Sequence, residues 1–166
     1  GSKLHMPKNG GYYFDWVDFP IKETTLEALD RYSWTKPDAK EYHQQLARQA
    51  KDLFENTDYA IVGTAIIGGG IFEQPARIMG MQKFLESLAA EPKFAERVMD
   101  TITDIYIESC NLYLDEIGKY LQVFTYWDDV CTQNGWMISP AMYRRMIKPR
   151  TRKLVDAIKK KTDAKL

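Results

Sequence analysis

Two adjacent carboxylates, Asp128 and Asp129, directly follow the apolar run Leu121 to Trp127. A carboxylate at the end of a buried strand could orient a cation, accept a hydrogen bond from a ring N–H, or serve as acid or base if burial raises its pKa. Successive side chains on extended backbone point to opposite sides, so at most one of the two faces a pocket. The competing reading is loop capping and solvation. Glu73 and Gln74 follow Gly68-Gly69-Gly70, three glycines that let the backbone turn sharply or approach a ligand closely. They lack the spacing of a phosphate-binding loop, and a tight strand-to-helix turn with a capping Glu reads as well. Gln133-Asn134-Gly135 could contact a ligand, although Asn-Gly is first a turn former. Tyr126 and Trp127 fit either core packing or stacking on a ligand, with core favoured.

The elements that must hold these groups follow from periodicity. Tyr59 to Ile67 is an apolar, β-branched run closed by glycines, too short for a helix. It reads as a strand buried on both faces, as in a parallel sheet. Leu121 to Trp127 reads as a second. Helices are expected over about 39–56, with Asp38 as N-cap and Ala39, Tyr42, Leu46, Ala50, Leu53 and Phe54 as its buried stripe. Others are expected over 71–79, with Gly80 as the stop, 81–90, and 92–117 with Pro92 at its first turn. The inner face of that long helix reads as Phe94, Val98, Ile102, Ile105, Ser109 and Leu112. Ser139-Pro140 opens a last helix over 140–161, which Pro149 should kink or split. Tyr12 to Ile21 looks extended, a short helical turn follows at Thr25 to Leu29, and Thr162 to Leu166 resembles the approach to a further strand. Strand, helices, strand, helix, strand is an α/β order with right-handed crossovers around a parallel sheet. A closed eightfold barrel takes about 250 residues, so this chain would hold roughly half of one.

Composition narrows the function. Gly1 to Met6 reads as a cloning scar and is set aside, which leaves residues 7–166 as one partial domain. The chain has 23 basic and 23 acidic residues, which argues against a nucleic-acid or membrane surface. The one basic cluster, Arg144 to Lys161, reads as a solvated helix face, with contact to a polyanion as the alternative. Cys110 and Cys131 have no paired spacing, so neither a disulfide framework nor a zinc site is expected, and the chain reads as soluble and cytoplasmic. Cys110 reads as packing, Cys131 as structural, and His43 as a solvated histidine on a surface helix. The aromatic cluster Tyr12 to Phe19 reads as core or interface.

Three stretches, taken in order, resemble the uroporphyrinogen decarboxylase family in its broad sense. They are Thr57-Asp58-Tyr59-Ala60-Ile61-Val62-Gly63, then Gly68-Gly69-Gly70-Ile71-Phe72-Glu73-Gln74. The third and most specific runs from Asp128-Asp129-Val130-Cys131-Thr132-Gln133-Asn134-Gly135 through Ile138-Ser139-Pro140-Ala141-Met142-Tyr143-Arg144 to Lys148-Pro149-Arg150. The resemblance implies an incomplete TIM (β/α)8 barrel with parallel strands and long crossover helices. It implies a parent enzyme that either decarboxylates a tetrapyrrole or moves methyl groups from corrinoid proteins. Zinc and a corrinoid are implied for a full-length parent of the second kind, whose zinc ligands would follow Leu166; none is expected within this segment. The decarboxylase's early aspartate and arginines have no counterpart here. Its site tyrosine falls near Ile71 or Phe72, which marks Phe72 as a ligand contact and tilts the reading toward the methyltransferase branch.

Two functions therefore compete. One is a segment of such an enzyme, inactive alone, with Asp128 and Asp129 catalytic and Phe72, Glu73, Gln74, Tyr126, Gln133 and Asn134 binding a tetrapyrrole or corrinoid-type ligand. The other is a self-associating scaffold module without chemistry, a homo-oligomer that buries its open sheet edges.

Overall fold

The computed structural model describes residues 1–35 and 40–166. The proposed cap Asp38 and the stripe residue Ala39 lie outside the described residues. At the centre is a short parallel ladder. β3 (Val62–Thr64) pairs with β4 (Val123–Thr125) in the register Val62↔Val123, Gly63↔Phe124, Thr64↔Thr125. A third strand begins on the far side of β4: Lys165 N–H donates to the Gln122 carbonyl at 2.9 Å, and Phe124 N–H donates to the Lys165 carbonyl at 2.7 Å. The two apolar runs are thus parallel neighbours, and the expected approach of a further strand at Thr162 to Leu166 is present.

The expectation of strands buried on both faces needs correction. Gly63 and Phe124 are buried against α5 (Pro92–Ile117), but Val62 is 58% exposed and Thr64 and Thr125 are open as well. Alternation explains this: one face packs under helices, and the other has no described element over it. Gly63 is required on the covered face, because a Cβ there would lie 2.5 Å from Leu121 Cδ1.

Around the ladder stand α2 (Lys40–Asn56), α3 (Glu73–Met79), α4 (Met81–Ala90), α5 and α7 (Lys148–Lys159). α1 (Leu26–Arg31) is short and capped by Thr25, whose hydroxyl oxygen accepts the Ala28 N–H at 3.2 Å. α5 is the spine. Its buried side chains include Phe94, Val98, Ile102, Tyr106, Cys110, Tyr113 and Ile117, whereas Leu112 is exposed. The expected stripe steps by three after Ile102, whereas the buried line continues in steps of four through Tyr106 to Cys110 and so runs one residue further round, to Tyr113. In α2 the expected stripe is largely wrong: Tyr42, Leu53 and Phe54 are exposed, while His43, read as solvated, is 2% exposed and meets Tyr113 edge-on at 5.8 Å. Neighbouring α5 covers the side of α2 that carries His43, Leu46, Ala47 and Ala50.

The last helix divides as Pro149 requires. A short α6 (Pro140–Met142), capped by Ser139, passes into a π-turn over Tyr143–Ile147 before α7 begins. Proline offers no N–H, and a locally widened turn accommodates its ring. The basic cluster is partly tethered rather than simply solvated. Arg150, Lys153 and Lys161 reach across to Asp100, Asp104 and Asp115 of α5 at 2.8, 2.6 and 2.6 Å.

The opening hexapeptide contributes β1 (Lys3–His5), antiparallel to β2 (Asp15–Asp18). The aromatic cluster there is not core: Tyr12 is 99% exposed, and Tyr13, Phe14 and Trp16 are open too. No helix among the described residues is long and apolar enough to cross a membrane.

Candidate functional site

Asp128 lies three residues beyond β4, past the carboxyl end of the parallel pair. Its carboxylate accepts the backbone N–H of Phe72 at 2.8 Å and of Glu73 at 3.0 Å, and the Tyr126 hydroxyl stands 3.3 Å away. Those two N–H groups open α3, where no side chain of the helix's own N-cap serves them. Asp128 supplies the cap from 55 residues along the chain, and negative charge is favourable at that helix end. The capping reading of Asp128 is therefore realised, and the cap joins the ends of two strands.

Glycine makes the junction possible. A Cβ on Gly70 would fall inside the Asp128 side chain, and Gly69 takes a left-handed φ of 78°. The Tyr106 hydroxyl, rising from the middle of α5, donates to the Ile67 carbonyl at 2.8 Å and also to that of Gly69. Tyr126 accepts the Ile71 N–H at 3.2 Å and packs edge-on to Tyr106, with ring centroids 6.2 Å apart. The turn from Ile67 to Glu73 is thus fixed by three side chains from α5 and from the segment after β4.

Burial governs the electrostatics. It raises the Asp128 carboxyl to about 6; the N–H bonds from Phe72 and Glu73 pull the other way, and the Glu73 charge adds to the rise. Burial, and the neighbouring charge of Asp128, push the Tyr106 and Tyr126 hydroxyls above the ordinary phenol range, so both remain donors. A carboxyl that changes protonation near 6 could exchange a proton with a ligand, the property expected of an acid–base group.

The other predicted residues divide between this cluster and its surroundings. Phe72 gives its N–H to the cap, and its ring is fully buried against Phe84, with centroids 5.3 Å apart. Glu73 pairs with Arg77, whose Nε lies 3.0 Å from Oε1, and Arg77 Nη1 donates to the Gly68 carbonyl at 3.1 Å. Gln74 donates to that same carbonyl. Both side chains are thus engaged in their own loop. Asp129 is exposed and takes no part in the cap. Gln133 and Asn134 form the two-residue turn between β5 (Cys131–Thr132) and β6 (Gly135–Trp136), and Asn134 N–H donates to Thr132 Oγ1 at 3.2 Å. They stand exposed, outside the hydrogen-bonded cluster.

Sequence reasoning missed Tyr106 and Arg77. A tyrosine at a core step of a long helix is itself a signal, since a buried hydroxyl requires a partner. Among the described residues, no three His, Cys, Asp or Glu side chains gather closely enough to hold a metal ion. Cys110 is buried in α5 and Cys131 exposed on β5, so these donors do not fit a zinc centre.

The family model for uroporphyrinogen decarboxylase (URO-D) matches residues 1–165. The chain belongs to the uroporphyrinogen decarboxylase family. The match includes the Gly68–Gln74 turn and Asp128, so the junction just described is part of the family's domain in this chain. No curated protein matches the chain. Among solved structures, a methyltransferase from Methanosarcina mazei is similar, with a TM-score of 0.58 and 15% identity. The match covers 95% of this chain and 44% of that one. The likeness establishes shared fold, and the chain spans less than half the length of that structure.

Proposed function

We propose that this chain is a segment of a (β/α)8-barrel enzyme in the methyl-transfer branch of the uroporphyrinogen decarboxylase family. The carboxyl ends of β3 and β4 form part of the ligand face for a corrinoid- or tetrapyrrole-type molecule. The observation that carries the reading is the Asp128 junction: a half-buried carboxyl beyond a parallel strand, raised to about 6 and stitched to the turn after the neighbouring strand. Barrel enzymes place their chemistry at that end of the strands. In this reading Asp129 is presented to the ligand, and Asp128 holds the floor and takes or returns a proton there. Two facts favour the methyl-transfer branch. The fold is like that of a protein described as a methyltransferase, and Ile71 and Phe72 place buried hydrocarbon where the decarboxylase would need a hydroxyl.

Absorption titration with cobalamin and, separately, with a uroporphyrin tests this. The expected result is a saturable spectral shift with cobalamin that weakens in Asp129→Ala. A shift with the porphyrin alone would move the assignment to the decarboxylase branch. No shift with either ligand would leave the site reading without support.

A further inference from the structure

His43 is a buried titratable group that the site does not use. It lies in the first turns of α2, 2% exposed, and its Nε2 has no hydrogen-bond partner among the described residues. Its ring sits edge-on to Tyr113 of α5 at 5.8 Å and tilted to Tyr42 of its own helix at 6.2 Å. The rest of the docked face of α2 is built of small or half-buried side chains. Ala50 is buried, Leu46 and Ala47 are half-buried, and Tyr42, Leu53 and Phe54 are exposed. Tyr113 lies in turn 6.3 Å from Phe124, so α2 covers the part of α5 that backs the parallel ladder.

We propose that α2 is a proton-released cover: neutral His43 seals it to α5, and protonation of that ring frees the helix and uncovers Tyr113. An imidazolium here would be a charge buried between α2 and α5 with no hydrogen-bond acceptor at Nε2 among the described residues, and that cost opposes the docking of α2. Titratable groups face the ring from both helices. Tyr42 comes from α2, and Tyr113 and Glu116 from α5; the 3-10 turn after α5 meets α2 at its other end, where Phe54 lies 5.8 Å from Tyr120 and Lys119 sits over that tyrosine. Glu116 favours the charged ring but lies half-exposed to solvent, and burial outweighs it, holding the imidazole below its ordinary range. The sign follows. The folded state prefers the neutral ring, so docking of α2 is complete above the ordinary histidine value and weakens as pH falls below it. The proposal is independent of the assignment of the ligand face.

The test is hydrogen exchange on the full chain at about pH 5 and about pH 8, either side of the ordinary histidine range, with rates corrected for intrinsic chemistry. Peptides from Lys40–Asn56 should lose protection several-fold at the acid value relative to those from α4. In His43→Phe that loss should vanish, and in Glu116→Gln it should grow, because that carboxylate eases the charged ring only while α2 is docked. Unchanged relative protection in the native chain, or an acid loss that persists in His43→Phe, overturns the proposal. Proton NMR of the native chain stands even if a variant fails to fold. The His43 ring signal should titrate below the ordinary histidine range, together with the loss of α2 protection; titration within or above that range overturns the idea.

Discussion

Two aromatic clusters look alike in the sequence and differ in what their hydroxyls and rings meet. Tyr106 and Tyr126 sit under the turn after β3, where one hydroxyl donates to the backbone and the other accepts from it. Tyr12 and Tyr13 stand in solvent on the strand-linking segment of the N-terminal hairpin, whose neighbours are held by a Trp16–Phe19 stack at 6.3 Å and by exposed lysines on Asp18. Aromatic content alone does not build a core. The first pair arrives on a long helix and a strand end that converge on an irregular turn full of unpaired backbone groups. The second arrives on a two-stranded ribbon, an arrangement too small to enclose its own side chains.

The contrast predicts where the molecule breaks. Gly70→Ala should have the largest effect. Its Cβ would occupy the space of the Asp128 side chain, so the cap on α3 would be expelled along with the close packing. A loss of about 3 kcal/mol, the upper end of what overpacking costs, should appear as a lower urea midpoint with unchanged slope. A loss under about 1 kcal/mol would mean that Asp128 swings aside freely, and the junction would then be no more rigid than the hairpin.

Next in size is a pH effect. The Asp128 carboxyl is raised from 3.8 to about 6, so the folded state binds its proton more tightly than the unfolded state. The stabilisation from this group is therefore full below about pH 4 and is lost as pH rises through about 6, on the order of 2–3 kcal/mol in total. Asp128→Asn should remove that slope. Unfolding curves of the two proteins across the window give the difference directly, and parallel pH profiles would refute the assignment of the proton to Asp128. Tyr106→Phe comes third. It leaves the carbonyls of Ile67 and Gly69 without their side-chain donor, a cost of about 1–2 kcal/mol by the same unfolding measurement.

The parts of this architecture that were legible beforehand are those in which a single residue type answers a single local need. Pro92 and Ser139-Pro140 start helices and Gly80 stops one, whereas β3 ends at Thr64, short of the glycine run expected to close it. The parallel pairing was legible because two short β-branched runs were separated by helices. What escaped was set by neighbours far along the chain. Nothing near His43 says that α5 will cover it rather than Tyr42, and nothing near Asp128 says that its carboxylate will cap a helix 55 residues earlier. The depth of the ladder escaped too: a continuous apolar run was read as burial on both faces, but only the Gly63–Phe124 face is covered. In the site, proximity of Asp128 to the strand end was legible, whereas the occupation of Glu73 and Gln74 by Arg77 and Gly68 was not.

The smallest expected effect is the sharpest control on the comparison. Tyr12→Ser and Tyr13→Ser remove two large rings, a change that in the core would cost several kcal/mol. Here both rings are already in water, no hydrogen bond fixes their hydroxyls among the described residues, and the chain bends back at Pro7–Gly10 without them. The unfolding free energy should therefore stay within about 0.5 kcal/mol of the native value. A clear loss would mean that the rings are covered in solution by some other surface. The exposed ribbon would then have to be treated as an interface, and the difference between the two clusters would be one of partner and not of burial.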